Sequence, residues 1–557
     1  MIFKSIDRLI NKKQKIDFLK LGIMLFIAMF FEAIGLFMII PIVSLVMDPN
    51  LIYEILDSIV FLKSLKFFSR KELTFLILIG FGLVYTLKTL YFLFLTYFQN
   101  KILNNFSLEF TNDLLKKYLH QEYLYHLNKD TSNYIKNIHI ESANLKSYIL
   151  SLLNILIETG VLVSIFITLL IIEPFGAIST VIFFLFFGFL YNYMTKNQLK
   201  KLGQTRILLD KKLMNLLLES FRDLKSNIIY KSQDFFLKQH YLKRKQRMNI
   251  ETKFAILVQS PRYFLELISV IGIIILMILF TLLNYNSSEL ITSLTLFVSA
   301  AFRVLPSANK ILNSFQNIKY FKGTVDMLNQ LFFDLTTSRI KDYKKFKFKS
   351  SIQIKDLGFS FNNKNVFEAL NFEILKEDKI LIKGGSGSGK STLINILLGF
   401  LKNYDGQIIL DKNQKIDCLK NIFDEIGYMN QETVLIDDTI KNNIIFGREV
   451  NENKLLNAIE SSGINQILYK KNINLNTLVG ENGKNFSGGE KQRISLARAM
   501  YGNPEILILD EATSALDFKT EKKIIELIRK NFNDKIIIFI SHNLAAFEFC
   551  NKKIEII

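Results

Sequence analysis

Six apolar segments in the N-terminal part of the chain are each long enough to cross a lipid bilayer. A hydrocarbon core about 30 Å thick takes roughly 20 helical residues. Half of the 557 residues are hydrophobic and 50 are Phe, which is more apolar surface than a soluble chain of this length buries. We therefore predict an α-helical transmembrane bundle of six helices. The segments are Leu21 to Met47, Leu73 to Phe98, Ile149 to Ile172, Phe175 to Met194, Tyr263 to Leu283 and Leu290 to Ile311.

The basic residues between these segments predict how the bundle is oriented. Long Lys-rich stretches lie between the second and third segments and between the fourth and fifth, whereas the remaining links are short or nearly free of Lys and Arg. By the positive-inside rule, the long stretches and both chain ends face the cytoplasm. The first external link, residues 51–68, has apolar residues at helical spacing. It predicts an amphipathic helix that lies on the outer membrane face or packs on its own bundle.

Three cations in or beside the spans are candidate substrate ligands: Lys88, Arg262 and Arg303. A charge in hydrocarbon costs at least about 2.5 kcal/mol, so such residues usually have a function. Three cations facing one cavity would attract an anion, and a guanidinium can bind two phosphate oxygens at once. Ion pairing is the alternative, because Arg262 could pair with Glu266 one turn later and Lys88 could be neutralised by Glu32.

Net charge and cysteine content exclude some classes of function. The net charge of +19 comes mostly from Lys scattered along the chain, without an Arg stripe or aromatic platform, so nucleic-acid binding is disfavoured. The two cysteines, Cys418 and Cys550, have neither the spacing of a metal site nor that of a CxxC pair. We expect neither a disulfide nor a structural zinc site.

The sequence pattern changes near residue 351, where short β runs begin to alternate with helical runs. Such alternation is typical of an α/β domain. A polar, Lys-rich stretch precedes it. We predict a helical transmembrane domain at residues 1–335, a linker at 336–350 and an α/β domain at 351–557.

A glycine-rich loop follows the predicted strand at residues 379–382 and leads into an apolar helical run. This is the strand–loop–helix context of the P-loop, GxxxxGK[ST], which binds ATP. Its backbone N–H groups surround the phosphates, Lys390 reaches the β and γ phosphates, and Ser391 offers its hydroxyl to Mg²⁺. The predicted nucleotide-binding residues are Gly384, Gly385, Ser386, Gly387, Ser388, Gly389, Lys390, Ser391 and Thr392.

Two carboxylates end a second apolar strand, Ile-Leu-Ile-Leu-Asp-Glu at residues 506–511. Asp510 can hold Mg²⁺ directly or through water, and Glu511 can act as the general base that activates the attacking water. An Asp-Glu pair at a strand end is a weak signal alone. Downstream of a P-loop it predicts a nucleotide hydrolase.

Between these two elements, residues 485–493 read Asn-Phe-Ser-Gly-Gly-Glu-Lys-Gln-Arg and open a helix. The segment resembles the signature sequence of the ABC ATPase family, with Phe486 and Glu490 at positions where Leu and Gln are common. The resemblance implies that two copies of the chain pair head to tail, each ATP lying between one P-loop and the partner's signature. The signature residues predicted to bind ATP are Ser487, Gly488 and Gly489.

The same resemblance assigns roles to four further residues. It implies that Phe361 stacks on adenine, that Gln431 senses Mg²⁺ and couples the ATPase to the membrane half, and that His542 contacts the γ-phosphate. Asp517 resembles a residue of the loop that contacts the other ATPase domain. With Glu511, Gln431 and His542 complete the predicted catalytic set, and Gln431 joins Ser391 and Asp510 in the predicted metal set.

The order of the domains and residues 479–483 resemble ABC exporters rather than importers. Residues 261–266, 302–310 and the predicted outer helix also resemble bacterial flippases of lipid-linked oligosaccharides that serve protein glycosylation. This implies a homodimer in the bacterial inner membrane that moves a polyprenyl-pyrophosphate oligosaccharide, with helix tips near residues 121–126 and 230–235 transmitting the motion. An exporter of lipid A, drugs or peptides would have the same ATPase. An ATP-gated channel is a further alternative, and six spans exclude a soluble ATPase.

Overall fold

The computed structural model describes most of the chain. It forms two compact units: a helical unit of residues 1–121 and 128–339, and an α/β unit of residues 122–127 and 340–557. A helical domain therefore precedes an α/β domain, in the predicted order. Residues 51–68, the predicted outer helix, lie outside the described residues. Those described are 6, 9–38, 70–127, 129–172, 174–282, 287–337, 348–361, 364–385, 387–411, 414–416, 419–511, 518–541 and 544–556.

Each apolar segment of the sequence overlaps one long helix of the helical unit. Four of these helices have 49 to 51 residues, about 75 Å at 1.5 Å per residue, so they extend well beyond a bilayer core of about 30 Å. The long helices are α1 (Lys12–Phe37), α2 (Arg70–Leu119), α5 (Ser142–Ile172), α6 (Pro174–Arg222), α8 (Gln233–Leu282) and α9 (Ser287–Thr337). The short ones are α3 (Tyr123–Leu127), α4 (Thr131–Ile135), a π-helical turn (Lys136–Glu141) and α7 (Leu224–Ile229).

Within the described residues, four segments are long and apolar enough to cross a membrane. They are Lys12–Gly35, Lys71–Leu119, Thr131–Thr168 and Gln233–Gly272. Large apolar side chains on α2, including Leu83, Leu90 and Leu93, are exposed. A helix that is apolar on its outer as well as its inner face suits a lipid environment.

A buried network of charges joins the π-helical turn to α6 and α9. The Glu141 carboxylate is fully buried and accepts hydrogen bonds from Arg206 Nη2 at 3.0 Å and from Thr324 Oγ1 at 2.8 Å. The Arg206 guanidinium also lies over the Tyr320 ring, 5.4 Å from its centroid. Because removing Glu141 or Arg206 would take the closest counter-charge away from the other in the interior, the network favours one arrangement of these elements.

Close packing of α6 against α9 depends on Gly203. A Cβ atom at this position would overlap the carbonyl oxygen of Tyr320. Only a residue without a side chain lets the two backbones approach this closely. The position therefore requires glycine for space.

The α/β unit contains two sheets. One has the order β2-β1-β4-β5, with antiparallel pairs, and the other has the parallel order β6-β7-β8-β3-β9. The strands are β1 (Ser351–Phe361), β2 (Lys364–Leu375), β3 (Lys379–Lys383), β4 (Asp405–Leu410), β5 (Gln414–Ile416), β6 (Ile426–Met429), β7 (Ile506–Asp510), β8 (Ile536–Ile540) and β9 (Lys552–Glu555). The helices are α10 (Lys390–Leu397), α11 (Ile440–Ile445), α12 (Glu452–Ser462), α13 (Ile464–Lys471), α14 (Gly488–Met500), α15 (Phe518–Asn531) and α16 (Leu544–Phe549).

The parallel sheet places its functional groups at one edge. Strands β7 and β8 are buried throughout, as their uninterrupted apolar sequences predict for the centre of a parallel sheet. Strand β3 lies beside β8, and β6 lies beside β7. The carboxyl ends of β3 and β7 therefore meet at one edge, where ligands bind in such folds.

The short helix α3 belongs to the α/β unit, although the sequence analysis placed it in the first domain. The Tyr123 ring lies 4.9 Å from the Phe400 ring, and Leu124 packs against the apolar core beneath the sheet. The carboxylate of Glu122 pairs with Lys402. Contacts between residues nearly 280 positions apart in sequence explain why the segment could not be assigned by sequence pattern.

Candidate active site

The loop between β3 and α10 forms a cradle of backbone groups. Gly387 and Gly389 adopt positive φ angles of 82° and 97°, and Gly389 is the N-cap of α10. A Cβ at Gly389 would lie 2.6 Å from Val366 Cγ1, so a larger residue would clash. Among the described residues, no atom outside the neighbouring residues lies within 4 Å of a Cβ built at Gly385 or Gly387, so there is open space beside both positions. A helix N-terminus below an open turn of this kind binds anions.

Lys390 lies at the centre of this loop. Its side chain is largely buried, and Nζ donates hydrogen bonds to the carbonyl oxygens of Gly384 at 2.8 Å and Gly385 at 2.9 Å. Both partners are neutral, so they orient the ammonium group without cancelling its charge. Within the described part of the chain, the buried hydroxyl of Ser388 has no hydrogen-bond partner. The loop therefore offers a charge and a donor for phosphate oxygens.

Asp510 and Glu511 lie at the carboxyl end of β7. Asp510 is 5% exposed, and burial, followed by the neighbouring Glu511 carboxylate, raises its pKa to about 6, against the opposing charge of Lys390. A carboxylate with a raised pKa is one that gains from a bound cation. These oxygens, with the Ser391 hydroxyl at the start of α10, are hard ligands of the kind that Mg²⁺ prefers. The residues fit a magnesium site.

Gln431 meets Glu511 across two neighbouring strands. Its Nε2 donates to Glu511 Oε2 at 2.7 Å. Glu511 has a left-handed backbone, with φ of 46°, and its N–H donates to the carbonyl oxygen of Ile540 at 2.9 Å. Two independent contacts thus fix the position of the carboxylate beside the loop. The structure thus brings together Gln431 and Glu511, two residues that the sequence analysis had placed in the catalytic set.

The predicted signature segment caps helix α14. Ser487 is the N-cap, its Oγ accepts from Glu490 N–H, and Glu490 Oε2 accepts from Ser487 N–H at 2.8 Å, which completes a capping box. Ser487 and Gly488 are exposed. The helix therefore presents an open N-terminus, a second anion-binding feature in the same unit.

Some predicted residues lie where the structure gives no side chain. Ser386, Asp517 and His542 are outside the described residues. Phe361 ends β1, and Arg303 lies within α9, but their side chains are outside the described part. Their assigned roles stay predictions.

The two described substrate candidates both have acidic partners. Lys88 is largely buried, and its Nζ lies 2.6 Å from Glu32 Oε2, while Arg262 Nε lies 2.9 Å from Glu266 Oε1. These are the two ion pairs that the sequence analysis gave as the alternative. Arg262 is exposed, so water screens its pair, whereas the Lys88 pair is enclosed. The structure therefore compensates the charge of both residues.

Comparison with known sequences shows which proteins the α/β unit is similar to. The family profile described as "ABC transporter" matches residues 367–514. A Rickettsia prowazekii protein named as an export ATP-binding/permease protein is 40% identical over 204 residues, 36% of this chain and 35% of that protein. The "ATP-dependent lipid A-core flippase" of Francisella tularensis is 35% identical over 209 residues, 37% of this chain and 34% of its own length. The matched region thus spans about a third of these relatives.

The fold of the whole chain is similar to that of a solved transporter. A bacterial Atm1-family ABC exporter, solved with ATP bound, superposes with a TM-score of 0.79 over 98% of this chain and 94% of its own, at 17% sequence identity. The chain therefore has the fold of an ABC exporter half-transporter, a helical transmembrane domain followed by an ABC ATPase domain. The predicted fold class is confirmed.

Proposed function

We propose that this chain is one half of a homodimeric ABC exporter that uses ATP hydrolysis to move an amphipathic lipid across a membrane. One observation carries the proposal: the phosphate loop, the paired carboxylates and Gln431 come together at one sheet edge, in a chain whose other unit has membrane-length helices. A transport ATPase needs both parts.

In the hydrolytic step, each residue of this edge has a separate role. Lys390 and the loop N–H groups bind the phosphates and stabilise the charge that develops on them. Ser391 and Asp510, with Gln431 nearby, would hold Mg²⁺, which neutralises phosphate charge when bound. Glu511, fixed by Gln431, accepts a proton from the attacking water.

The signature helix supplies the argument for a dimer. Ser487 and Gly488 are exposed at the N-terminus of α14, where an anion can bind. This position is separate in sequence from the phosphate loop at residues 384–392. We propose that a second copy places its bound nucleotide there. Hydrolysis is then shared between two chains, and the ATPase rate should depend on protein concentration when the dimer dissociates.

Helix α3 is the proposed coupling element. The chain leaves the helical unit after residue 121, contributes α3 to the α/β unit, and returns to the helical unit at residue 128. Tyr123 and Leu124 pack within the α/β unit, and α3 follows α2 and precedes α4 in the sequence. We propose that α3 transmits the ATPase cycle to the transmembrane helices.

For the substrate, we propose a large anionic glycolipid, with lipid A-core as the first candidate because a relative carries that name. A polyprenyl-pyrophosphate oligosaccharide is the second candidate, favoured by the resemblance of residues 261–266 and 302–310 to flippases of that lipid. The enclosed ion pair with Glu32 compensates the charge of Lys88, one of the three cations expected to bind pyrophosphate, and thereby weakens that argument for the second candidate.

The test is ATP-driven translocation in proteoliposomes. The native chain is reconstituted separately with labelled lipid A-core and with a labelled polyprenyl-pyrophosphate oligosaccharide, and access of the head group to an added quencher or enzyme is followed. Glu511→Gln should abolish movement and phosphate release. Glu452→Gln, which changes an exposed carboxylate of the same unit, is the matched control and should leave both intact.

The outcomes separate the two lipids and the general proposal. Movement of lipid A-core alone supports the first candidate, and movement of the oligosaccharide lipid alone replaces it with the second. ATP hydrolysis that moves neither lipid overturns the substrate class. A native chain that neither hydrolyses ATP nor binds it overturns the exporter proposal.

A further inference from the structure

One lysine outside every motif contacts three residues of the signature segment. Lys471 is the last residue of α13, and its Nζ lies 2.7 Å from Glu490 Oε2. The same ammonium group donates to the carbonyl oxygen of Asn485 at 3.2 Å and lies 4.6 Å from the centre of the Phe486 ring. The contacts bracket Ser487, which caps the helix between them.

Glu490 places a negative charge beside the predicted nucleotide site, and Lys471 neutralises it. Its carboxylate is bound to the N–H of Ser487, directly beside the exposed Ser487-Gly488 N-terminus. An unpaired negative charge there would oppose the positive end of the helix and repel an approaching polyphosphate. The side chain of Glu490 is 19% exposed, so solvent screens it only partly. Lys471, itself at a helix C-terminus where a cation is favoured, cancels that charge.

The protonation state agrees with this geometry. Burial acts to raise the pKa of Glu490, but hydrogen bonds from Lys471 and Ser487 and the charge of Lys471 outweigh it and hold the pKa below its ordinary value. The carboxylate is therefore ionised at neutral pH. The Lys471 ammonium group therefore faces a negative charge on Glu490 at neutral pH.

We propose that Lys471 is a positioning residue for ATP: it neutralises Glu490 and fixes the signature segment, so that the N-terminus of α14 can accept the nucleotide of a second chain. The inference rests on the proposed ATPase function. Phe486 and Glu490, which stand where Leu and Gln are common in this signature, both contact Lys471: Glu490 through an ion pair and Phe486 through its ring.

The two effects of Lys471 can be separated by a double-variant cycle. Lys471→Met removes the charge and keeps the length of the side chain, and we expect KM for ATP to rise about five-fold, the size of a partly screened charge interaction. Glu490→Gln keeps a capping side chain and removes the repelling charge, so it should lower KM. The double variant Lys471→Met/Glu490→Gln should return KM to within about two-fold of the native value.

The matched control is Lys441→Met, which breaks a similar pair with Glu452, 2.8 Å apart, elsewhere in the unit. It should not change KM. Salt gives an independent readout, because the Lys471→Met defect should shrink as ionic strength rises from about 0.05 to 0.5 M. Thermal unfolding of each variant shows whether the fold is retained.

The results decide between charge and packing. Recovery in the double variant, with a salt-dependent single variant, supports the proposal. A defect of equal size in the single and double variants assigns Lys471 a packing role only and overturns it. A native chain without ATPase activity overturns the proposed function, whereas an active native chain with an unchanged Lys471→Met variant overturns this inference alone.

Discussion

Two largely buried lysines, Lys390 in the α/β unit and Lys88 in the helical unit, were both predicted to bind anions, and they lie in opposite electrostatic surroundings. Lys390 donates to two backbone carbonyls, at 2.8 and 2.9 Å. Lys88 faces the Glu32 carboxylate at 2.6 Å. The first cation keeps its charge for a ligand, while the second is already neutralised by its own chain.

The difference shows that burial of a cation is not enough to predict an anion site. What matters is whether its partners are dipoles or charges, because dipoles orient a cation and a carboxylate cancels it. Arg206 belongs with Lys88, since its charge is compensated by Glu141. Lys88 and Arg206 therefore each face a carboxylate, whereas the hydrogen bonds of Lys390 go to backbone carbonyl groups.

The largest effect is expected at Lys390. Lys390→Met should reduce kcat/KM for ATP by about 10³-fold, about 4 kcal/mol, because it removes a charge directed at the transferred phosphate. Phosphate release by the purified protein is the measurement. The double variant Lys88→Met/Glu32→Gln serves as the contrast and should hydrolyse ATP at the basal rate of the native chain. Equal losses in the two proteins would contradict the distinction.

Loss of Glu141 should affect stability rather than chemistry. Glu141→Ala removes the closer carboxylate partner of the buried Arg206 and leaves Asp210, 4.0 Å away, so we expect the free energy of unfolding to fall by about 3 kcal/mol. The thermal midpoint in detergent reports the change. The exposed pair Lys211 and Asp130 is the comparison, and Asp130→Ala should lower stability by less than about 1 kcal/mol. Similar midpoints for both variants would show that the network is not buried in the working protein.

Lys88 can be tested against its own partner. Lys88→Met should destabilise the helical unit by about 3 kcal/mol because the buried Glu32 carboxylate loses the ammonium group 2.6 Å away, and adding Glu32→Gln should restore most of the loss. If Lys88 binds substrate instead, lipid-stimulated ATP hydrolysis will stay low in the double variant although its stability recovers. Measuring both quantities on the same preparations therefore decides the role of this residue.

The smallest effect on stability is expected at the coupling helix. Lys402→Gln removes the half-exposed ion pair with Glu122 and should lower the free energy of unfolding by less than about 1 kcal/mol.

A second variant of the coupling helix tests its function. Tyr123→Ala removes the aromatic contact with Phe400 and should lower lipid stimulation of ATP hydrolysis more than the basal rate. Basal and stimulated rates, measured side by side, check this. A proportional fall in both rates would argue against coupling through α3.

The motifs of the ATPase were readable because each is continuous in sequence. The loop at 384–392, the strand end at 510–511 and the helix start at 487–490 carry their own backbone geometry through glycines, apolar strands and a capping pair. Their positions relative to one another follow from the carboxyl-end rule for parallel sheets. Short-range chemistry and one topological rule therefore account for the geometry of these three motifs.

Ion pairs and contacts between residues distant in sequence could not be predicted in this way. The sequence analysis could name Glu32 as a partner for Lys88 but could not choose between an ion pair and a substrate ligand, because the two residues lie on separate helices. Lys471 was missed altogether, since its partners are 14 and 19 positions away and share no motif with it. Helix α3, which lies within the predicted first domain, groups with the α/β unit through contacts that are distant in sequence.

The sequence alone determined the membrane-length helices, the α/β domain and the nucleotide chemistry, because hydrophobic length, strand pattern and phosphate-binding loops are local properties of the chain. The tertiary structure alone decided which cations pair with a carboxylate, which lysine pairs with Glu490 of the signature segment, and where α3 packs. These depend on distances between side chains that only the packed helices and sheets bring within a few ångströms of one another.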